Sequence, residues 1–136
     1  MMKIGFTGTR HQLTDIQVEL LESTLTELYE EGSTLSHGMC AGADEIANRL
    51  AKEIGYSTIG RPGNVSQSNS MTVDVKYPVE PYLKRNREIV DSSQIIIAIP
   101  NSMKEKVRSG TWATIRYART KGVRVIIIYP NGNTEG

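Results

Sequence analysis

The sequence predicts a single α/β domain: a doubly wound, Rossmann-like parallel sheet of about five strands in the order 3-2-1-4-5, with helices on both faces. Three observations carry this expectation. Strand-like and helix-like segments alternate along the whole chain. The run Ile95-Ile96-Ile97-Ala98-Ile99 is unbroken, and Val123 to Tyr129 is nearly all apolar, as strands covered on both faces require. At 136 residues there is room for one core, so residues 1–136 form one domain, with no linker and no internal repeat.

Taken in order, Lys3 to Thr7 reads as a short strand ending in Gly-Thr-Arg. Thr14 with Gln17 three places on is a capping-box pattern, and Ile16, Leu20, Leu21, Leu25 and Leu28 recur at helical spacing until Gly32. Thr34 to Ser36 is a second strand. Ala43, Ile46, Ala47, Leu50, Ala51 and Ile54 form the clearest helical stripe, which Gly55 ends. Ser57 to Ile59 is the third strand. Residues 63 to 80, rich in Ser, Asn, Gln and Val, show no helical period and read as an irregular excursion, a lid or an oligomer contact. Pro81 and Tyr82 open a third helix, Gln94 to Ile99 is the fourth strand, Ser109 to Lys121 the last helix, and Val123 to Tyr129 the last strand.

Sixteen basic residues stand against 15 acidic ones, for a formal charge of +1. A dedicated duplex-DNA binder is more basic, although a local cationic pocket remains compatible with this balance. Cys40 is the single cysteine, so no intrachain disulfide forms. The chain passes from Met1-Met2-Lys3 directly into a strand, unlike a signal peptide, and its longest apolar run is far below a membrane span. The expectation is a cytoplasmic protein without membrane contact, bound metal or cofactor.

In such a sheet, ligands bind beyond the strand ends, where the order reverses between strands 1 and 4. Four strand-to-helix turns meet there. The first, Gly8-Thr9-Arg10, offers close backbone approach, a hydroxyl and a forked cation. The second runs from His37-Gly38 to Gly42-Ala43-Asp44, with free N–H groups that favour an anion. Asp44 serves there either as a helix cap or as a ligand contact, and His37 counts among the ligand-binding candidates, as a turn residue bonded to backbone rather than a catalytic base. Cys40 lies near a helix start, which lowers a thiol pKa, but no general base accompanies it. The third group is Arg85 with Asn86. The fourth, Arg108-Ser109-Gly110-Thr111-Trp112, is the strongest: backbone donors, two hydroxyls and a helix dipole gather beside a cation. Trp112 either stacks on a base or belongs to the core.

These motifs, in this order, are Gly-Thr-Arg, His-Gly-x-x-x-Gly-Ala-Asp, Arg-Asn-Arg-x-Ile-Val, and Ser-Gly-Thr followed by Ala-Arg-x-x-Gly. Together they resemble the SLOG superfamily over about Lys3 to Pro130. That group includes the Rossmann-like core of DprA/Smf, the LOG phosphoribohydrolases and the YpsA-like proteins. The resemblance implies a nucleotide or nucleotide-derived ligand at Gly8 to Arg10, Gly38, Gly42 to Asp44, Arg85, Asn86 and Arg108 to Trp112. It also implies a homo-oligomer. LOG enzymes carry a catalytic glutamate three residues after their Gly-Thr, where this chain has Thr114. The primary expectation is therefore a sensor or sequestering module that binds without turnover. One alternative is a nucleotide N-glycosidic hydrolase using Asp44, the best-placed carboxylate, ahead of Glu88. Another is single-stranded nucleic-acid binding of the DprA kind.

Overall fold

A computed structural model of the chain describes residues 1–64 and 71–136. Seven strands form one sheet: β1 (Lys3–Gly8), β2 (Thr34–His37), β3 (Ser57–Gly60), β4 (Val75–Lys76), β5 (Ile95–Ile99), β6 (Arg124–Ile128) and β7 (Thr134–Glu135). Four helices intervene: α1 (Asp15–Leu28), α2 (Ala43–Ile54), α3 (Tyr82–Asp91) and α4 (Gly110–Thr120). The strand order is β4-β3-β2-β1-β5-β6-β7, parallel throughout except for β7. Its five central strands are those expected, in the expected order.

The central pairing sets the site. Gly8, at the end of β1, lies opposite Ile99 at the end of β5, while β2 flanks β1 on the other side. The chain crosses from one side of β1 to the other here, which opens the crevice of a doubly wound sheet. Alternate residues of β5 serve the two faces of the sheet. Ile97 and Ile99 pack with Leu21 and Leu25 of α1 and with Ala47 and Leu50 of α2. Ile96 packs with Ile89 and Val90 of α3, and Ala98 with Trp112 and Ile115 of α4. Each fully buried branched side chain contributes about 1.5–3 kcal/mol.

The capping box at Thr14 is present, and Gln17 reaches further, donating from a buried amide to the carbonyls of Pro100 (3.0 Å) and Ile128 (3.2 Å). Three boundaries differ from expectation. Helix α1 stops at Leu28, before Gly32, because Tyr29 turns to extended geometry and sets its ring edge-on against Tyr56, 5.1 Å away. The excursion contributes β4, which extends the sheet beside β3; Asp74 Oδ2 accepts from the Thr58 amide at 2.8 Å. Residues 65–70 of that excursion lie outside the described residues. The chain also folds back after Asn131-Gly132, adding β7 as a hairpin partner of β6. Among the described residues, no helix is long and apolar enough to cross a membrane.

Candidate functional site

Three strand-to-helix turns and helix α3, which carries Arg85 and Asn86 in place of the expected turn, converge on one cavity of about 840 Å³ at the carboxyl ends of β1 and β5. Gly8, Thr9 and Arg10 line it from the first turn. Thr9 is fixed: its amide donates to Ile99 and its hydroxyl accepts from the His11 amide. Arg10 reaches across, donating from Nη2 to the Tyr82 hydroxyl at 2.6 Å and lying 4.0 Å from Cys40 Sγ.

The second turn is bound from within. Asp44 Oδ2 accepts from the amides of Gly38 (3.1 Å) and Cys40 (3.0 Å), and His37 Nδ1 accepts from the Met39 amide (3.1 Å). These amides are therefore not free for an external anion; the Asp44 carboxylate already occupies that seat. Nor does Asp44 cap α2, whose N-cap is Gly42, with no side-chain cap. His37 faces away from the cavity, its Nε2 2.8 Å from Asn48 Oδ1. With Nδ1 accepting, the proton sits on Nε2. Asn48 in turn donates to the Thr72 carbonyl at 3.0 Å, tying the turn to the chain before β4. Gly42 and Ala43 also stand outside the cavity lining. Gly42 has φ +84°, and a β-carbon there would meet the Arg10 backbone at 2.7 Å, so glycine lets the two turns touch.

Cys40 does line the cavity, but its thiol is not activated. Burial pushes its pKa up and the Asp44 charge adds to this, outweighing the opposing pull of Arg85 and Arg10. The helix-start effect expected from sequence loses because the thiol is desolvated.

Arg85 is the central cation, 2 % exposed, in the wall of the cavity. Its Nη1 donates to the carbonyls of Gly38 (2.8 Å) and Arg61 (3.1 Å), its Nε to Asn86 Oδ1 (2.8 Å), and its Cζ stands 4.5 Å from the Tyr82 ring centre. All these partners are neutral, and no carboxylate of the described residues lies within ion-pair distance of it. Asn86 lines the cavity beside it. Glu88 is not in the lining; it pairs with Arg61 and Lys84.

From the fourth turn, Arg108, Ser109, Gly110 and Thr111 line the cavity. Ser109 caps α4 by accepting from the Trp112 amide at 3.3 Å. Gly110 and Thr111 supply the first two helical amides, which have no intrahelical acceptor. Trp112 itself is core: it is 3 % exposed, lies outside the lining and packs 6.4 Å from Tyr129. Thr114 lines the cavity with its hydroxyl donated to the Gly110 carbonyl at 3.0 Å. Two residues that the sequence reading left out also take part. Tyr82 sits between Arg10 and Arg85, and Lys106 adds a cation. The basic spacing Lys104, Lys106, Arg108 ahead of Ser109 was the available signal for Lys106. Among the described residues no group of three or more His, Cys, Asp or Glu gathers to hold a metal ion.

A family model described as "SLOG cluster4 family" matches residues 1–135. The chain belongs to that family. Solved structures add fold-level likeness. The molybdenum cofactor binding protein of the phototrophic bacterium Rippkaea orientalis superposes with a TM-score of 0.73 at 24% identity, covering 94% of this chain and 76% of that one. The molybdenum cofactor carrier protein of Chlamydomonas reinhardtii gives 0.67 at 24% identity, covering 93% and 75%. DNA processing protein A from Streptococcus pneumoniae gives 0.71 at 21% identity over 93% of this chain; the match spans half of that protein. No curated protein matches the chain closely enough to count as a relative. The SLOG assignment thus agrees with the resemblance carried by the sequence motifs, and all three structures share the fold.

Proposed function

We propose that the cavity binds a phosphate-bearing small molecule of the nucleotide type and holds it without turning it over. One observation carries this reading: Arg85 is buried in the cavity wall, and among the described residues its partners are neutral. A buried guanidinium without a counter-charge is costly, and an anion in the cavity relieves that cost. Arg10, Lys106 and Arg108 add to the field, and the start of α4 adds amide donors.

The residues supporting a hydrolase are weak. Asp44, the one carboxylate in the lining, spends an oxygen on two amides, and a threonine stands where LOG enzymes place their glutamate. Calorimetric titration with nucleoside monophosphates, dinucleotides, ADP-ribose and the molybdenum cofactor tests the proposal. The last compound is included because two structurally similar proteins are described as binding or carrying it. Saturable heat with at least one of these, and no release of free base on incubation, is the expected outcome. A flat titration throughout sinks the reading. Self-association belongs to the same reading, supported by exposed apolar side chains such as Val79 and Leu83; a monomer by light scattering removes that part.

A further inference from the structure

We propose that the ligand carries two separate anionic groups, one seated at Arg10 and Arg85, the other at Lys106 and Arg108, with the Tyr82 ring between them. This rests on the reading that the cavity binds a phosphate-bearing molecule.

Charge is the first argument. Four cations line the cavity against one carboxylate, Asp44, which is already engaged by two amides. One phosphate monoester carries about −1.5 to −2 near neutral pH, which leaves positive charge uncompensated. The chain has not neutralised the outer pair itself. Glu105, next to Lys106, is turned to Arg116 at 2.7 Å, and Arg119 is paired with Glu135 at 3.5 Å. Lys106 and Arg108 have no ion-pair partner among the described residues. The cations of α4 are thus neutralised by protein carboxylates, while the two that line the cavity are not.

Geometry is the second. The Tyr82 hydroxyl is held by Arg10 at 2.6 Å, and its ring lies 4.5 Å from the Arg85 guanidinium carbon. On the α4 side, a β-carbon built on Gly110 would stand 3.5 Å from Tyr82 Cε1 and 3.6 Å from its hydroxyl. The ring therefore stands between the inner arginines and the start of α4, the element that Lys106 and Arg108 precede, and a ligand that engages both groups of cations spans it. The Tyr82 hydroxyl occupies a position on Arg10 suited to an anionic oxygen. A nucleoside-sized spacer with a phosphate at each end, as in a nucleoside 3′,5′-bisphosphate or a dinucleotide, fits this division.

Calorimetry comparing 5′-monophosphates with 3′,5′-bisphosphates of each common nucleoside tests the proposal. The bisphosphate of the preferred base is expected to bind at least about tenfold tighter, as one added charged contact provides. In Arg108→Gln, an exposed position whose side chain makes no hydrogen bond among the described residues, that ratio is expected to fall close to one. Equal affinity for both forms in the unchanged chain overturns the two-anion proposal and leaves the phosphate-binding reading standing. A retained preference in both Arg108→Gln and Lys106→Gln also overturns it. Absence of binding by every mono- and bisphosphate overturns the two-anion proposal, and the reading beneath it falls too when dinucleotides, ADP-ribose and the molybdenum cofactor also give no heat.

Discussion

Arg85 and Gly38 are in direct contact, with Nη1 donating to the glycine carbonyl at 2.8 Å. A β-carbon on residue 38 would lie 2.2 Å from that same nitrogen. Gly38→Ala is therefore expected to push the guanidinium off its carbonyl seats. Overpacking of this kind costs about 1–3 kcal/mol. A lower unfolding temperature together with lost ligand affinity is the expected pair of results. Unchanged affinity would mean that Arg85 does not organise the site.

Asp44 acts here as an internal anion. Removing it in Asp44→Ala leaves two buried amides without an acceptor. The expected loss is about 2–4 kcal/mol in urea unfolding, because hydrogen bonds to a charged group are stronger than neutral ones. Asp44→Asn keeps an acceptor oxygen and should lose less. Equal losses in the two variants would contradict this role.

Cys40 should be a slow nucleophile. Burial holds its thiol protonated, so alkylation by iodoacetamide is expected to reach half its maximal rate above the ordinary thiol value of about 8.5. In Arg85→Gln the profile should move further up, because a lowering charge is gone. A profile centred below that ordinary value would mean that the two arginines outweigh burial.

Tyr56 predicts the alkaline limit of stability. Its hydroxyl is buried and donates to the Leu25 carbonyl at 2.7 Å, and burial pushes its pKa from 10.0 up to about 12. The unfolded chain gives up this proton first. Stability is therefore unaffected below pH 10 and falls as pH rises from 10 toward about 12, by roughly 2–3 kcal/mol. Chemical denaturation across that range checks the slope, and Tyr56→Phe should flatten it.

Much of the fold was legible because its signals are local. The capping box at Thr14, the apolar stripe from Ala43 to Ile54 and the unbroken strand at Ile95–Ile99 need no distant partner to be read. The edge strands were not legible: β4 and β7 are two residues each, too short for periodicity, and each exists by pairing with a neighbour. The cavity membership of Gly8, Arg10, Arg85 and Ser109 followed from the turns. What sequence does not carry is where donors point. The amides of Gly38 and Cys40 look free in the sequence, yet the carboxylate of Asp44 consumes both. Trp112 and Thr111 are adjacent in sequence, but the helix turns the indole into the core and leaves Thr111 in the cavity wall.

Trp112 has one more consequence. It is the sole tryptophan, it is buried beside Tyr129, and its indole N–H finds no acceptor among the described residues. Its amide hydrogen-bonds to Ser109, which lines the cavity. All indole emission from this chain thus originates at a single apolar position one helical turn from the site. Emission at short wavelength, and a change in it on titration with a nucleotide, are the expected label-free signals of that position.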